Sequence, residues 1–146
     1  KAGVDASKAM LMATFHDMPE TRTGDANWIQ KNYITQDEER VLSSQLDPLE
    51  NLSDELKTVL AEYKERQSIE SKIAKDADRI EYFMSLKELE VIGNKYATKR
   101  LNAEDTDPQF LLTDVGRELA AVVKATDPND WLEEDVKKTQ LKMRKQ

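Results

Sequence analysis

Few residues in this chain would interrupt a helix, and this feature constrains its fold more than any other. Only four glycines and four prolines occur among 146 residues. Helices tolerate these two residues least, so long stretches can stay helical without a break. Runs of β-branched residues are scarce, and no segment has a convincing strand pattern. We therefore predict an all-α protein with a single domain over residues 1–146, a length that can bury a core.

Apolar residues at helical spacing, together with capping residues, predict where the helices begin and end. We expect Thr35, Ser53, Ser68 and Thr113 to act as N-caps, since their side-chain oxygens can accept from backbone N–H groups of the first turn. In the longest predicted helix, Ile69, Ile73, Ala77, Ile80 and Met84 are expected to face inward. The predicted helices span residues 4–15, 35–46, 53–66, 68–93, 94–101 and 113–124, with a last helix after residue 129.

Charge and composition exclude several classes of function. The formal net charge is -7, and an acidic surface repels a nucleic-acid backbone, so we expect no nucleic-acid partner. The chain has no cysteine, which rules out disulfides and thiolate metal sites. No apolar run approaches the roughly 18 residues that a membrane span needs. These features favour a cytoplasmic protein that does not associate with membranes.

The doublet His16-Asp17 and the distant Asp78 are candidate metal ligands. An imidazole and a carboxylate at one helix end can reach the same divalent cation, and a third ligand should come from another helix. Asp78 lies in the middle of the longest predicted helix, near its apolar residues, where a carboxylate needs a partner. The residues alone leave two alternatives open: His16 as an ordinary core or surface histidine, and Asp78 in a solvated charge pair with Lys75.

Two further side chains could contact a substrate. Arg22 could meet a phosphate, or it could be a solvated surface residue. Trp28 follows a Thr23-Gly24-Asp25 turn and could stack on a base, although ordinary packing is the simpler reading.

Three motifs together resemble those of HD-domain metal-dependent phosphohydrolases. They are His16-Asp17-Met18-Pro19-Glu20, the turn Thr23-Gly24-Asp25, and Lys75-Asp76-Ala77-Asp78-Arg79-Ile80. The doublet alone is weak evidence. A glutamate three residues after Asp17 and a second aspartate about 60 residues later make the pattern fairly specific. Within this family the chain looks most like the 5'-nucleotidases and 5'-deoxynucleotidases, which implies an HD-type helical bundle that hydrolyses nucleoside monophosphates.

The resemblance implies a role for each residue. His16, Asp17 and Asp78 match metal ligands, and the family pattern selects Asp78 over Asp76, which should then be a surface residue or support a ligand. Glu20 matches the acidic residue that assists the attacking water or the leaving group, and Asp25 matches a second catalytic residue near the sugar. The cofactor would be a divalent ion: manganese, cobalt, nickel, iron, zinc or magnesium. A homodimer is the family expectation.

One departure from the family pattern opens other interpretations. The family's site normally includes a further histidine from an earlier helix, whereas His16 is the only histidine here. The nucleotidase branch also has an arginine-bearing N-terminal helix that this chain lacks. We expect the chain to be incomplete at its N-terminus, so that upstream residues would supply the missing ligand. The alternatives are another HD chemistry, with an alarmone or a cyclic nucleotide as substrate, and a helical binding module that has lost catalysis.

Overall fold

The computed structural model describes residues 3–103 and 106–144, and every regular element within them is helical. The prediction of an all-α protein is therefore confirmed. Short 3-10 turns lie at Gln30–Asn32, Asp47–Leu49 and Pro108–Phe110. The α-helices are α1 (Ala6–Phe15), α2 (Glu20–Thr23), α3 (Glu38–Leu46), α4 (Asn51–Glu65), α5 (Ile69–Val91), α6 (Lys95–Leu101), α7 (Asp114–Ala125) and α8 (Asp130–Met143).

Two of the four predicted N-caps are confirmed. Ser68 accepts from the backbone N–H of Ser71, and Thr113 accepts from that of Gly116. The predicted cap at Thr35 is wrong, because the carboxylate of Asp37 accepts from the backbone N–H of Arg40 and starts α3 two residues later. Aspartate caps a helix as well as threonine does, so spacing alone could not separate the two.

The predicted cap at Ser53 is also wrong. α4 begins at Asn51, directly after the 3-10 turn and a left-handed residue, Glu50, with φ 49°. Ser53 lies inside the helix and is buried. α4 begins earlier than predicted, directly after the positive φ of Glu50, and a capping motif does not reveal such a backbone conformation.

The chain divides into two compact units, Lys1–Lys75 and Asp76–Gln146, and the boundary falls inside the continuous helix α5. In the first unit α4 packs against α1 and α3. Met12, Val59, Tyr63 and Ala74 form its buried apolar cluster. Burying a large apolar side chain stabilises a fold by roughly 1.5–3 kcal/mol, so this cluster holds the end of α1 firmly in place.

The second unit has two apolar clusters of its own. Ile80, Phe83, Leu111 and Ala120 form one, which packs α7 against α5. Leu86, Ala97 and Leu101 form the other, which packs α6 against the end of α5. α8 contributes no buried residue.

The predicted inward stripe of α5 is wrong for most of its residues. Ile69 is 42% exposed and Met84 is 50% exposed, whereas Ile80 is buried as expected. The buried face changes along the helix, because Ser71 and Phe83 lie on different sides of it at 100° per residue. A single stripe therefore could not describe the helix. Its buried residues are Ser71, Ala74, Asp76, Ile80, Phe83 and Leu86.

A search of the described residues for a helix long and apolar enough to cross a membrane finds none.

Candidate metal centre

The doublet lies where α1 ends and a tight turn leads into α2. His16 is the C-cap of α1, and its backbone N–H donates to the carbonyl of Met12. Pro19 is buried and begins α2, so its restricted φ directs the chain immediately after the doublet. The side chain of Gln45 on α3 donates to the carbonyl of Met18 at 3.0 Å. The turn that carries the doublet is thus held from both α1 and α3.

A backbone hydrogen bond orients the imidazole of His16. Its Nδ1 lies 2.9 Å from the carbonyl oxygen of Ala13. A carbonyl oxygen only accepts, so Nδ1 carries the proton, and the neutral ring has its lone pair on Nε2. Nε2 lies 3.1 Å from Oδ2 of Asp17. The two side chains form an ion pair when the ring is protonated. When the ring is neutral, Nε2 and the carboxylate can both bind a divalent ion.

Asp78 provides the third donor. One potential ligand atom from each of His16, Asp17 and Asp78 lies within 4.8 Å of the other two. Asp78 follows Lys75 by less than one turn of the continuous helix α5. One imidazole nitrogen and two carboxylate oxygens form a donor set that intermediate and harder divalent ions accept. The residues present therefore fit the metal that the sequence predicts, and Asp78 rather than Asp76 joins the group.

A pocket of about 170 Å³ opens beside the doublet in the first unit. This volume is below the roughly 300–1,000 Å³ of pockets that enclose a whole drug-sized ligand. Only part of a nucleotide would fit inside it. Its lining consists of His16, Asp17, Pro19, Glu20, Glu38, Leu42, Leu60, Tyr63, Lys64, Arg66 and Lys75.

Glu20 lines this pocket and is electrostatically unusual. Burial raises the pKa of its carboxyl above the ordinary glutamate value, and the negative charges of Asp17 and Asp25 raise it further. A carboxyl whose pKa lies closer to neutral pH exchanges protons more readily under physiological conditions. The environment of Glu20 is therefore suited to proton transfer.

Three cations line the pocket that were not predicted from the sequence, and one of them, Lys64, pairs with Glu38. Arg66 follows α4 in the left-handed conformation, at φ 58° and ψ 26°. Its guanidinium lies 3.3 Å from the ring centroid of Tyr63, and that ring lies 5.0 Å from the ring of His16. Lys75 joins Arg66 in the pocket lining. Lys75 belongs to a motif that resembles the family, whereas none of the three motifs contains Arg66.

The other predicted substrate and catalytic residues lie outside this lining. Asp25 is exposed, and so is Arg22, which donates to the hydroxyl of Ser44 at 2.8 Å. Trp28 is 81% exposed, which contradicts ordinary packing as its explanation. Among the described residues, Glu20 is the only predicted catalytic or substrate residue that lines the pocket.

Asp76 is buried, so the first of its two expected positions, on the surface, is wrong. It is 2% exposed and accepts hydrogen bonds from the backbone N–H groups of Leu112 and Thr113, each at 2.8 Å. The hydroxyl of Thr113 donates to it at 2.7 Å. Through these three hydrogen bonds, Asp76 links α5 to the start of α7.

An imidazole and two carboxylates grouped beside a pocket in a helical fold define a candidate metal-binding protein. The family model described as HD domain matches residues 1–108, which is most of the chain. The chain therefore belongs to the HD-domain family, whose members bind divalent metals and form a superfamily of metal-dependent phosphohydrolases. No curated protein and no solved structure matches it.

Proposed function

We propose that this chain hydrolyses nucleoside or deoxynucleoside 5'-monophosphates, using a divalent ion held by His16, Asp17 and Asp78. One observation carries the proposal: an acid with a raised pKa and three cationic side chains line a single pocket beside the ligand doublet. This combination suits a phosphate ester, which needs positive charge around its oxygens and a group that moves a proton.

When bound, a divalent ion would polarise a phosphoryl oxygen and make water more acidic. The chain's own residues supply the rest. The side chains of Arg66 and Lys75 bind the phosphate oxygens, since guanidinium and ammonium groups both donate to phosphate. The pocket is too small for a whole nucleotide, so it takes the phosphate end and leaves the nucleoside at its mouth.

Glu20 moves the proton in this proposal. Its carboxylate accepts a proton as the oxygen of water bonds to phosphorus and the bond to the 5'-oxygen breaks. The same proton then passes to the leaving 5'-oxygen, so the products are a nucleoside and inorganic phosphate. Desolvation supports this role, because it brings the carboxyl pKa toward the range where it can both accept and donate.

Three residues outside the pocket lining extend the proposal to the nucleoside. The exposed ring of Trp28 can stack on a base. Arg22 can meet a substrate oxygen if it releases Ser44. Asp25 is the second candidate for proton transfer, and the family resemblance supports its role near the sugar.

The decisive experiment compares Glu20→Gln with the wild-type chain at saturating metal. We expect turnover of deoxynucleoside monophosphates to fall about a hundredfold to ten-thousandfold while metal content stays near that of wild type. Glu39→Gln on α3 is the matched control, since Glu39 is exposed and outside the pocket lining. Near-wild-type turnover would remove Glu20 from the mechanism, whereas loss of metal would make it a ligand.

The substrate panel separates the proposed activity from its rivals. It should contain ribo- and deoxynucleoside monophosphates, a guanosine pyrophosphate alarmone and a cyclic nucleotide. Metal-dependent release of inorganic phosphate from the monophosphates supports the proposal. Preference for either of the other substrates would assign another HD chemistry, and metal binding without any turnover would favour a binding module.

A further inference from the structure

α8 has apolar side chains that nothing within the described residues covers. Every residue from Asp130 to Met143 is exposed. The exposed fractions include 47% for Leu132, 45% for Val136 and 71% for Met143. Isolated helices of this length are marginal in water, and packing of an apolar face normally stabilises them. α8 also lies beyond residues 1–108, so the family match does not account for it.

Three of the five apolar residues of α8, together with Thr139, follow the spacing of a paired helix, whereas Trp131 lies about 100° from Leu132 around the helix and outside this seam. Leu132, Val136, Thr139 and Met143 are separated by four, three and four residues. At 100° per residue they fall within a band of about 60° around the helix. This is the repeat of the core positions in a coiled coil, where one helix packs its seam against another. Leu141 lies on the opposite side of the helix and is not part of the seam.

The charges of α8 are segregated along its length. Its first half is acidic and its second half is basic, so a parallel second copy would place like charges side by side. An antiparallel second copy would place each acidic half against a basic half. The acidic residues are Asp130, Glu133, Glu134 and Asp135, and the basic residues are Lys137, Lys138, Lys142 and Arg144.

We infer that α8 pairs with α8 of a second copy of this chain in an antiparallel, two-fold symmetric arrangement. Leu132 then packs against Met143 of the partner subunit, and Val136 packs against the partner's Thr139. Asp135 lies on the flank of the seam opposite the partner's Lys142, and the two-fold axis repeats this ion pair. Asp135 already lies 3.4 Å from Lys138. That ion pair is exposed, so replacing it by an ion pair with the partner's Lys142 costs little free energy.

The pair should be weak and depend on protein concentration. A helix of 14 residues is about 21 Å long. One pair of such helices covers less than the roughly 1,200–2,000 Å² that a stable interface buries. Thr139 also places a hydroxyl in the seam, which lowers its apolar content. We therefore expect monomers and dimers to coexist in solution.

Analytical ultracentrifugation of the full chain over a wide concentration range tests the association. The mass should rise from one copy to two as the concentration increases. Val136→Asp should stay monomeric, and Leu141→Asp, which adds the same charge to the opposite side of α8, should dimerise like wild type. Circular dichroism should show unchanged helicity in both variants. A monomer at every concentration, a larger assembly, or equal dimerisation of the two variants would overturn the inference.

Charge exchange and cross-linking test the orientation. Asp135→Lys and Lys142→Asp should each weaken dimerisation about fivefold, since each creates two like-charge contacts per dimer. The double variant should restore it. Because the chain has no cysteine, a mixture of L132C and M143C chains should form mixed disulfide dimers on oxidation. Cross-linking of L132C chains among themselves would indicate a parallel pair, and failure of the double variant to recover would reject the proposed ion pair.

Discussion

At the scale of single residues, the environment that suits Glu20 for its proposed role has a cost in stability. Its pKa is raised by burial and by the negative charges of Asp17 and Asp25. The folded state therefore holds the proton of this carboxyl more tightly than the unfolded state does. The two states bind unequal numbers of protons once the pH exceeds the unfolded pKa, and this makes stability depend on pH.

We predict that Glu20→Gln stabilises the metal-free chain more at pH 7 than at pH 4. A raised folded pKa means that stability falls as the pH rises from the unfolded pKa through the folded one. Glutamine carries no charge at either pH and removes this loss. Thermal unfolding in the presence of a chelator measures the effect at both pH values. A difference between variant and wild type that does not change with pH would show that burial of Glu20 carries no electrostatic cost.

Arg66 is a second residue whose position is costly in the absence of ligand. It adopts the left-handed conformation that ends α4, where glycine is the usual residue. The contact of its guanidinium with Tyr63 offsets part of this strain, since cation–π contacts at exposed sites are worth about 0.5–1 kcal/mol. A left-handed arginine beside a pocket is therefore a candidate for a functional role.

We predict that Arg66→Gly leaves the free energy of unfolding within about 1 kcal/mol of wild type, because relief of strain offsets the lost contact. The KM for a nucleoside monophosphate should rise at least tenfold, because a cation that binds phosphate is gone. Urea unfolding and steady-state kinetics give the two values. Unchanged KM would exclude Arg66 from substrate binding, and Arg66→Lys is expected to recover part of the affinity.

At the scale of elements, the start of α7 depends on a single buried carboxylate. Asp76 accepts from Leu112 and Thr113, and Thr113 in turn caps α7 through the backbone N–H of Gly116. Gly116 leaves room for this network. A Cβ on Gly116 would lie 2.4 Å from Oδ2 of Asp76 and 2.9 Å from the hydroxyl of Thr113. The carboxylate cannot move away easily, because three donors hold it.

We predict that Gly116→Ala destabilises the chain by about 1–2 kcal/mol, although alanine normally stabilises a helix relative to glycine. Asp76→Ala should cost about 3 kcal/mol, because it leaves backbone donors unsatisfied. The double variant should lose less than the sum of the two, since removing the carboxylate removes the clash. Chemical unfolding of all three variants measures this, and simple additivity would contradict the contact between the two residues.

At the scale of the whole molecule, the candidate metal ligands come from distant parts of the chain. Asp78 is separated from His16 and Asp17 by about 60 residues. The unfolded chain does not hold these donors together, so a metal binds mainly to the folded state. Binding of this kind adds stability in proportion to the logarithm of ligand concentration.

We predict that manganese or cobalt at a hundred times its dissociation constant stabilises the chain by about 2.7 kcal/mol. The melting temperature should rise with metal, fall back with a chelator, and respond less at low pH, because protons compete for the donor atoms. Asp78→Asn should lose most of this response, whereas Glu88→Gln, an exposed residue on the same helix, should keep it. An equal response in Asp78→Asn would remove Asp78 from the site.

Local chemistry was enough to predict most of the helical architecture. The caps at Ser68 and Thr113 follow from a side-chain oxygen that reaches a backbone N–H three residues later, which is a contact within one turn. The doublet at the end of α1 is a short local motif, whereas the choice of Asp78 over Asp76 came from the family resemblance. The functional roles of these residues stay predictions, although one ligand atom from each of His16, Asp17 and Asp78 lies within 4.8 Å of the others.

Only the tertiary structure decided which side chains enter the pocket and which are buried for support. Asp76 and Asp78 differ by two positions in the same motif, yet one brackets α7 and the other joins His16 and Asp17. Arg66 enters the pocket because α4 ends in a left-handed turn. The buried face of α5 changes because different partners pack against its two halves. Helical periodicity shows on which face of a helix the apolar residues recur, but it does not show which neighbour packs against that face. Long-range packing determines those neighbours and the lining of the pocket.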